Sequence, residues 1–385
     1  MFLRISNQPR DYAWGSQSAI SSLLGTPPTG RREAELWLGA HPGSPARIED
    51  GERDLAGWIA SDPLAALGEG RDRLPFLLKV LAADAPLSLQ AHPTPEQAAA
   101  GFARENAAGI PLDSPERNYK DPYAKPELIY ALSPSFDALC GFRDLGESRA
   151  LFSALLAAES ERPSPRPRPI EELLGFLDRG LRETVEWLVT RGSGVAELVA
   201  VVSEAVPSGR FERELATVRE LAGLYPGDPG IVISLLLNRV TLAAGEALYL
   251  PAGNIHAYLS GLGVELMSAS DNVLRGGLTP KHVDVDELLG VLDFSPVPVP
   301  YLRPEHPAPH LEVFRPDVPD FVLARFDGPG EYPLSGPAIA LCTEGAVTLS
   351  GRERLERGQS VYVTPDEGLL TVSDGGTVFL ATTGS

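Results

Sequence analysis

The amino-acid sequence predicts a mainly β protein with an inserted helical domain and two related β domains of the jelly-roll type. Three observations support this fold class. Residues 1–143, and those from 231 onward, are broken by proline and glycine into short β-branched or aromatic runs, a pattern typical of strands and loops. Residues 144–230 instead carry apolar side chains at helical spacing. A sequence repeat also links two β regions, which favours two copies of one β unit.

Five short segments of the β regions are predicted as strands. In the first region they are Leu74–Val80 and Leu87–His92. In the second they are Ile231–Leu237, Leu248–Leu250 and Val264–Met267. The segment Ile231–Leu237 is the longest apolar run of the chain. It has the length of a strand and is far shorter than the ~18 residues that a membrane-spanning helix needs.

The helical region contains two apolar series at helical spacing: Leu173, Leu174, Leu177, Leu181, Val185 and Leu188, and then Phe211, Leu215, Val218, Leu221 and Tyr225. Between helices, Arg162–Pro169 (RPSPRPRP) is predicted as a surface loop. A proline-rich linker, Ser295–Pro309, leads to the last β region. We therefore expect a first β domain formed by residues 1–143 and 231–300, a helical insertion at 144–230 and a C-terminal β domain at 301–385.

The internal repeat has a constant offset of 113 residues. Leu242–Tyr249 (LAAGEALY) is similar to Leu355–Tyr362 (LERGQSVY), and a proline follows each segment closely. The repeat predicts two β-barrels or jelly rolls, with the helices inserted in the first. A chance match of two glycine-turn-strand segments is the alternative.

Charge and composition exclude several classes of protein. The chain has 385 residues, of which 43% are hydrophobic, so it is not disordered. Its 33 basic and 52 acidic residues give a net charge of −19, which disfavours nucleic-acid binding. Cys140 and Cys342 are far apart and form no CxxC motif. The N-terminus lacks the pattern of a signal peptide, so we expect a cytoplasmic protein that has no membrane partner.

A candidate metal site follows from the spacing of polar residues in the β regions. Gln90 and His92 are two apart in a strand-like segment, so they share one face. Gly245, Pro251, Gly253 and His256 form the pattern G-x5-P-x-G-x2-H. This pattern resembles the second motif of the cupin superfamily, whose barrel presents metal ligands inward, so cupin-like β domains are expected.

A carboxylate is still needed to complete such a site. Glu127 is the best candidate, because Pro126 fixes the chain just before a β-rich run. Two imidazoles, a carboxylate and an amide oxygen suit Zn²⁺ or another first-row metal, with a position left open for substrate or water. A satisfied structural histidine is the alternative for His256.

Longer motifs resemble one enzyme family over essentially the whole chain. They are Tyr12–Ser16 (YAWGS), Glu35–Pro42 (ELWLGAHP), Leu74–Val80 (LPFLLKV), Pro86–Pro93 (PLSLQAHP), Asn118–Asp121 (NYKD), Lys125–Glu127 (KPE), Gly253–Tyr258 (GNIHAY) and Ser270–Lys281 (SDNVLRGGLTPK). Together they resemble the type I mannose-6-phosphate isomerases (phosphomannose isomerases). One difference is that family members commonly carry a histidine just before Lys-Pro-Glu, where this chain has Tyr123-Ala124. A proton-shuttling role for a histidine at that position is therefore not expected in this chain.

The resemblance implies a metal-dependent aldose–ketose isomerase that interconverts mannose 6-phosphate and fructose 6-phosphate through a cis-enediol. It also implies one Zn²⁺ per chain, and its motifs place the ligands at the positions already nominated by spacing: Gln90, His92, Glu127 and His256. We expect a sugar phosphate as the partner, no nucleic acid, and a monomer.

Three residues are candidates for the chemistry of isomerisation. Glu265, on a predicted strand, is the leading base, with an outward-facing strand carboxylate as the alternative. Lys125 is two residues from Glu127 and is expected to stabilise an enediolate or to transfer a proton. Arg275 has a planar fork that suits phosphate or a developing oxyanion.

The substrate-binding residues are assigned from their places in the matching motifs. They are Ser88, Lys79, Tyr258 and Asp271, with Lys281 as a weaker candidate for the phosphate. Lys79 has an alternative as a strand lysine whose end reaches the surface. His41 is expected to be structural rather than a metal ligand.

Two other function classes compete with an isomerase. One is a non-catalytic sugar-phosphate-binding or regulatory cupin that kept the fold and lost the chemistry. The other is a metal-dependent cupin oxygenase, in which the basic residues would lack a role. For the C-terminal β domain we expect no metal, because the repeat offset places Leu369 at the position of His256.

Overall fold

The structure, a computed structural model, describes residues 1–49, 51–206 and 209–384. Strands make up much of its regular structure. The strands before residue 300 are β1 (Phe2–Ser6), β2 (Glu35–Leu38), β3 (Arg47–Ile48), β4 (Phe76–Ala83), β5 (Leu89–Ala91), β6 (Glu127–Ala131), β7 (Phe136–Phe142), β8 (Leu237–Leu242), β9 (Ala247–Leu250), β10 (His256–Ser268) and β11 (Leu274–Gly277). The strands after residue 300 are β12 (Glu305–Ala308), β13 (Leu311–Phe314), β14 (Val322–Phe326), β15 (Gly330–Pro333), β16 (Ala338–Glu344), β17 (Ala346–Leu349), β18 (Glu353–Glu356), β19 (Ser360–Val363), β20 (Leu369–Ser373) and β21 (Thr377–Thr382).

The helices are concentrated between β7 and β8. Those before β7 are α1 (Ala19–Leu24), α2 (Leu55–Ser61), α3 (Pro63–Leu67) and α4 (Pro95–Ala107). The concentrated group is α5 (Leu145–Ser160), α6 (Arg168–Leu177), α7 (Leu181–Val189), α8 (Val195–Ser203), α9 (Glu212–Leu224) and α10 (Gly230–Ser234), and α11 (Val285–Val291) follows later. Over the part of the chain that the structure describes, no helix has both the length and the apolar character that a bilayer crossing requires.

Strand β10 organises the first β unit. Its first half pairs with β5 and β7, and its second half pairs with β4 and β6. Gly261 lies between the halves with φ of 127°, and a Cβ at this position would lie only 2.7 Å from the Phe136 ring. A glycine is therefore required where the strand passes between the two sides of the barrel.

Alternation along three neighbouring strands separates the core of this unit from its interior face. Leu36 of β2, Leu78 of β4 and Leu266 of β10 lie in an apolar cluster shared with the C-terminal unit. In each strand the residue next to this leucine has its side chain on the opposite face. Trp37 and Met267 are two such residues, and they belong to a separate cluster. That opposite face forms one wall of the site described below.

The helical segment confirms the predicted apolar periodicity. Leu173 of α6, Val185 of α7 and Leu221 of α9 are all fully buried in one cluster. The same cluster contains Leu89 of β5 and Leu274 of β11. The helices thus pack on the strands that carry one side of the candidate site.

The strand predicted at Ile231–Leu237 is wrong. Residues 230–234 form α10, and β8 begins only at Leu237. Pro229 precedes α10 with helical backbone angles, and α10 packs against α7, α8 and α9. A continuous apolar run is equally compatible with a strand and with a short helix buried on all sides, so tertiary packing decided between them.

The sequence repeat corresponds to a repeated β topology. In the first unit β6 pairs with β9 and β7 with β8, and in the C-terminal unit β16 pairs with β19 and β17 with β18. Gly245 and Gly358, with φ of 96° and 85°, make the same turn before β9 and β19. The predicted fold class, mostly β with an inserted helical segment, is confirmed.

The first strand belongs to the C-terminal sheet. β1 pairs with β19 and with β3, so that Phe2 lies opposite Val363. The two β units are therefore joined through the beginning of the chain as well as through the shared apolar cluster. The four-segment division of the chain stays a prediction.

Candidate active site and metal centre

Three buried side chains converge at one end of the first β unit. Glu127 begins β6, His256 begins β10, and His92 follows β5. His92 Nε2 lies 3.2 Å from Glu127 Oε1, and His256 Nε2 lies 3.3 Å from Glu127 Oε2. Each of the three side chains is 1% exposed. Within the described residues, this is the group of His, Cys, Asp and Glu side chains placed to hold a metal ion.

Hydrogen bonds on the far side of each ring fix the histidine tautomers. His92 Nδ1 lies 2.7 Å from the backbone oxygen of Asn272, and His256 Nδ1 lies 3.0 Å from that of Asn254. Because a carbonyl oxygen only accepts, each Nδ1 carries the proton and each Nε2 presents a lone pair. Ligating histidines typically make such a bond through their other nitrogen.

The converging atoms are therefore all acceptors, and no donor of the protein satisfies them completely. His92 Nε2 and Glu127 Oε2 are buried without a hydrogen-bond partner among the described residues. Unsatisfied buried acceptors are costly, and a divalent cation satisfies all of them at once. The donor set thus fits Zn²⁺, as the sequence predicts.

Gln90 lies beside this group. It is directly opposite His256 across β5 and β10, and its Nε2 is 3.3 Å from His256 Nε2. The two ends of an amide are interchangeable in such an assignment, so Gln90 can turn its oxygen toward the same point. The structure therefore brings all four predicted ligands together.

Electrostatics keeps the two kinds of ligand in the forms that bind metal. Burial lowers the pKa of His92 to about 4, with a contribution from the Lys125 charge, so the imidazole is neutral. Burial alone would raise the pKa of Glu127, but Lys125 and His92 hold it well below its ordinary value. A neutral imidazole and an ionised carboxylate are the ligating states.

A cleft of about 500 Å³ opens beside the metal ligands. It brings together several predicted site residues: Lys79, Ser88, Gln90, Lys125, Asp271, Arg275 and Lys281. Its other lining side chains include Tyr12, Trp14, Glu35, Trp37 and Met267. Lys125 Nζ is 2.8 Å from Glu127 Oε1, so this lysine connects the cleft to the metal ligands.

A buried ion-pair network forms one wall of the cleft. Lys79 Nζ lies 2.9 Å from Glu265 Oε2 and 3.6 Å from Glu35 Oε1. Trp37 Nε1 donates to Glu35 Oε2 at 2.9 Å. Burial lowers the pKa of Lys79, but the charges of Glu265 and Glu35 outweigh it and raise this pKa, so the ammonium stays protonated.

Glu265 is not among the residues that line the cleft. It is 2% exposed, and Lys79, which lines the cleft, is its ion-pair partner. Its burial excludes the alternative of an outward-facing carboxylate. Glu265 lies behind Lys79 in this structure, and its role as the leading base stays a prediction.

Two cations of the cleft lining, Arg275 and Lys281, lack a carboxylate partner among the described residues. Burial lowers the pKa of Arg275, and burial together with the Arg275 charge lowers the pKa of Lys281. Neither forms an ion pair with any described residue. Arg275 is directly opposite Gln90 across β11 and β5, so its side chain starts beside the metal ligands.

Asp271 is held at the cleft by a histidine. His41 Nε2 lies 3.2 Å from Asp271 Oδ2, and the Gly43 backbone N–H donates to His41 Nδ1 at 3.1 Å. Because Nδ1 accepts this bond, Nε2 of a neutral His41 carries the proton and donates to Asp271. Burial would raise the pKa of Asp271, but His41 lowers it. His41 is thus structural, as expected, and not a metal ligand.

Comparison with known proteins gives the same family over the whole chain. Residues 2–145 match the family described as "Phosphomannose isomerase type I, catalytic domain". The mannose-6-phosphate isomerase of Escherichia coli K12 is 38% identical, over 97% of both chains. The human mannose-6-phosphate isomerase is 31% identical, over 93% of this chain and 92% of the relative. The chain belongs to the type I mannose-6-phosphate isomerase family.

Solved structures of the family agree with this assignment. A mannose 6-phosphate isomerase from Salmonella typhimurium, bound to its substrate fructose 6-phosphate and to zinc, matches with a TM-score of 0.89 and 36% sequence identity. The match covers 100% of both chains. The predicted family, enzyme class and metal dependence are confirmed.

Tyr258 does not line the cleft. It is 1% exposed and packs edge-on against Phe136, with ring centroids 5.4 Å apart. Burial and the charge of Glu265 raise the pKa of Tyr258 well above its ordinary value. The assignment of Tyr258 to substrate binding stays a prediction; its ring lies 6.0 Å from that of His256, between centroids.

The difference from the family before Lys125 also has a structural outcome. The Arg73 guanidinium lies 3.6 Å from the centroid of the Tyr123 ring and donates to the backbone oxygen of Ala269. Tyr123 thus stacks on Arg73 outside the cleft lining.

Several residues at the site were missed in the sequence. Glu35, Trp37 and Asn272 all lie within the matching motifs, but their roles depend on long-range contacts with Lys79, His41 and His92. The alternation of Glu35 and Trp37 along one strand would have placed both on one face. That alternation does not show which residues of other strands Glu35 and Trp37 contact.

Proposed function

We propose that this chain catalyses the reaction of its family, the interconversion of mannose 6-phosphate and fructose 6-phosphate, in the cleft beside His92, Glu127 and His256. The convergence of buried, unsatisfied acceptor atoms next to a cation-lined cleft carries this proposal. The substrate is inferred from the family, because the Salmonella typhimurium relative is bound to fructose 6-phosphate.

Zinc is the metal that we assign, with His92, Glu127 and His256 as ligands and the Gln90 oxygen as the fourth. When bound, it supplies positive charge that stabilises negative charge on an oxygen next to the reacting carbons. One ion per chain is expected. In the C-terminal unit, the strand positions that correspond to His256, Gln90 and Glu127 carry Leu369, Pro333 and Ala338, none of which is a metal ligand.

The phosphate group binds in the cleft beside Arg275 and Lys281. Both are partly buried cations without a carboxylate partner in the described structure, and a dianion supplies the missing charge. Ser88 lines the same cleft and offers a hydroxyl. Because the chain as a whole carries a charge of −19, the two cations Arg275 and Lys281 are needed to hold a sugar phosphate.

The sugar carbons lie between the phosphate-binding cations and the metal ligands. Isomerisation moves a proton from C2 to C1, and we keep Glu265, whose pKa is raised by burial, as the candidate for the base that takes this proton and returns it. Negative charge develops meanwhile on the neighbouring oxygens. Lys125 and Lys79 line the cleft here as cationic groups and stabilise that charge. Glu265 also fixes the position of Lys79 through their ion pair, and Asp271 accepts hydrogen bonds from sugar hydroxyls.

We also propose that the chain acts as a monomer in the cytoplasm. Its two cysteines, Cys140 and Cys342, are buried and free, which suits a reducing compartment. Light scattering of the purified protein tests the first statement, and fractionation of the source cells tests the second.

An isomerase assay with mannose 6-phosphate tests the proposed activity. We expect turnover in the zinc-loaded protein, loss of turnover after chelation and recovery when zinc is restored. His256→Ala should abolish turnover and reduce zinc content, whereas the matched His310→Ala, on the exposed surface of the C-terminal unit, should change neither. Sugar-phosphate binding without turnover in the zinc-loaded protein would favour a regulatory cupin instead.

A further inference from the structure

Asn272 is the most completely satisfied polar side chain near the metal ligands. It has no exposed surface. Its Oδ1 accepts from the backbone N–H groups of Lys120 and Asp121, at 2.7 and 3.3 Å. Its Nδ2 donates to the backbone oxygens of Asp121 and Tyr123, both at 2.8 Å, and to Asp121 Oδ1 at 3.3 Å. One amide therefore fixes the loop 120–123.

The backbone of the same residue holds a metal ligand. The Asn272 carbonyl accepts the bond from His92 Nδ1 at 2.7 Å. Because hydrogen bonds hold the side chain of Asn272 to the loop 120–123, the orientation of its backbone carbonyl group is fixed. The imidazole that donates to this carbonyl is then oriented with Nε2 toward Glu127.

Residues next to Asn272 and next to the loop 120–123 line the cleft. The backbone N–H of Asp271 donates to Asp121 Oδ2 at 2.8 Å, and Asp271 lines the cleft. The loop 120–123 leads directly into Lys125, which also lines the cleft. Asp271 is thus anchored to Asp121, and the Asn272 amide holds the loop that precedes Lys125.

We propose that Asn272 is a positioning residue for the zinc ligand His92, and that its side chain sets how tightly the metal is held. The residue acts through the orientation of one imidazole and contacts neither metal nor substrate. Hydrogen-bond partners of ligands typically change metal affinity about 10- to 100-fold when they are removed. This inference rests on the zinc site proposed above.

The chain offers a matched control at the second histidine. His256 Nδ1 donates to the backbone oxygen of Asn254, so both ligands rest on an asparagine carbonyl. The side chain of Asn254 differs, because its Oδ1 is buried without a partner. Truncating Asn254 removes no hydrogen bond that orients its carbonyl, whereas truncating Asn272 removes all those made by its amide.

Competition with a chromogenic chelator measures the zinc affinity of the full-length, zinc-loaded proteins. We expect about 10- to 100-fold weaker zinc binding in Asn272→Ala. Asn272→Asp, which keeps the acceptor for Lys120 and Asp121 but loses both donors, should be intermediate. Asn254→Ala should resemble the wild type. Zinc should also raise the melting temperature less in the Asn272 variants than in the wild type.

If neither Asn272 variant folds, Asp121→Ala decides instead, because it removes one contact of the Asn272 amide and leaves the carbonyl in place. It should weaken zinc binding in the same direction, by a smaller factor. Wild-type zinc affinity in the folded variants overturns the proposal, even when their melting temperature is lower. A wild-type protein that binds no zinc would instead overturn the metal site itself.

Discussion

Replacing Glu265 by glutamine tests the network behind the cleft. The carboxylate is isosteric with the amide, so the change removes charge and little volume. With an effective dielectric constant of about 20, a charge pair separated by 2.9 Å attracts by about 6 kcal/mol. The remaining pair of Lys79 with Glu35, at 3.6 Å, still supplies about 5 kcal/mol.

These magnitudes determine the expected loss of stability. Removing one partner of a buried ion pair costs roughly 3–5 kcal/mol when the other charge is left alone. Because Glu35 remains beside Lys79 and glutamine still offers an oxygen, we expect a decrease of about 3 kcal/mol in the free energy of unfolding. We expect kcat to fall as well, because Lys79 loses the contact that fixes its position at the cleft.

Urea unfolding and steady-state kinetics of the zinc-loaded proteins measure both effects. The control is Glu186→Gln, an exposed glutamate on α7, which should be close to wild type. A double variant, Lys79→Met with Glu265→Gln, should lose less stability than the sum of the two single changes. Additive losses, or a Glu265→Gln variant with wild-type stability, would refute the reasoning about this ion pair.

Three further predictions address the metal, the phosphate and the pH dependence of stability. Glu127→Ala should lower both zinc content and turnover, since it removes a ligand, and full activity in a demonstrably metal-free preparation would contradict the metal site. Arg275→Lys keeps the charge but loses the planar fork, so kcat/KM should fall roughly 10- to 100-fold while zinc content is unchanged; near-wild-type kinetics would remove Arg275 from the site. Asp137 accepts from Arg239 and Thr241 at 2.9 and 2.6 Å; burial would raise its pKa, but these contacts hold the pKa below its usual value. Its contribution to stability is therefore present at neutral pH and is lost as the pH falls through the folded pKa. Asp137→Asn should cost about 1 kcal/mol at pH 7, and the difference should shrink below about pH 4 in urea titrations; a deficit that persists at low pH would exclude this origin.

The sequence by itself predicted the residues that the structure brings together at the candidate metal site, and it predicted the repeated β unit. Gln90 and His92 share a face because of strand alternation, and Gly253 and His256 belong to one short turn. The repeat at 113 residues marked a turn that needs a glycine with positive φ in both units. These features are local, so spacing along the chain is sufficient to find them.

Only the tertiary structure decided where the other site residues lie and which residues they contact. Glu265 and Tyr258 lie on the same strand as His256, yet strand pairing buries both, and neither is among the residues that line the cleft. The run after Gly230 became a helix because three other helices surround it. The Asn272 carbonyl accepts a hydrogen bond from His92 across 180 residues of chain. Such outcomes depend on which strands and loops meet, and contacts between distant segments leave no period or spacing in the sequence.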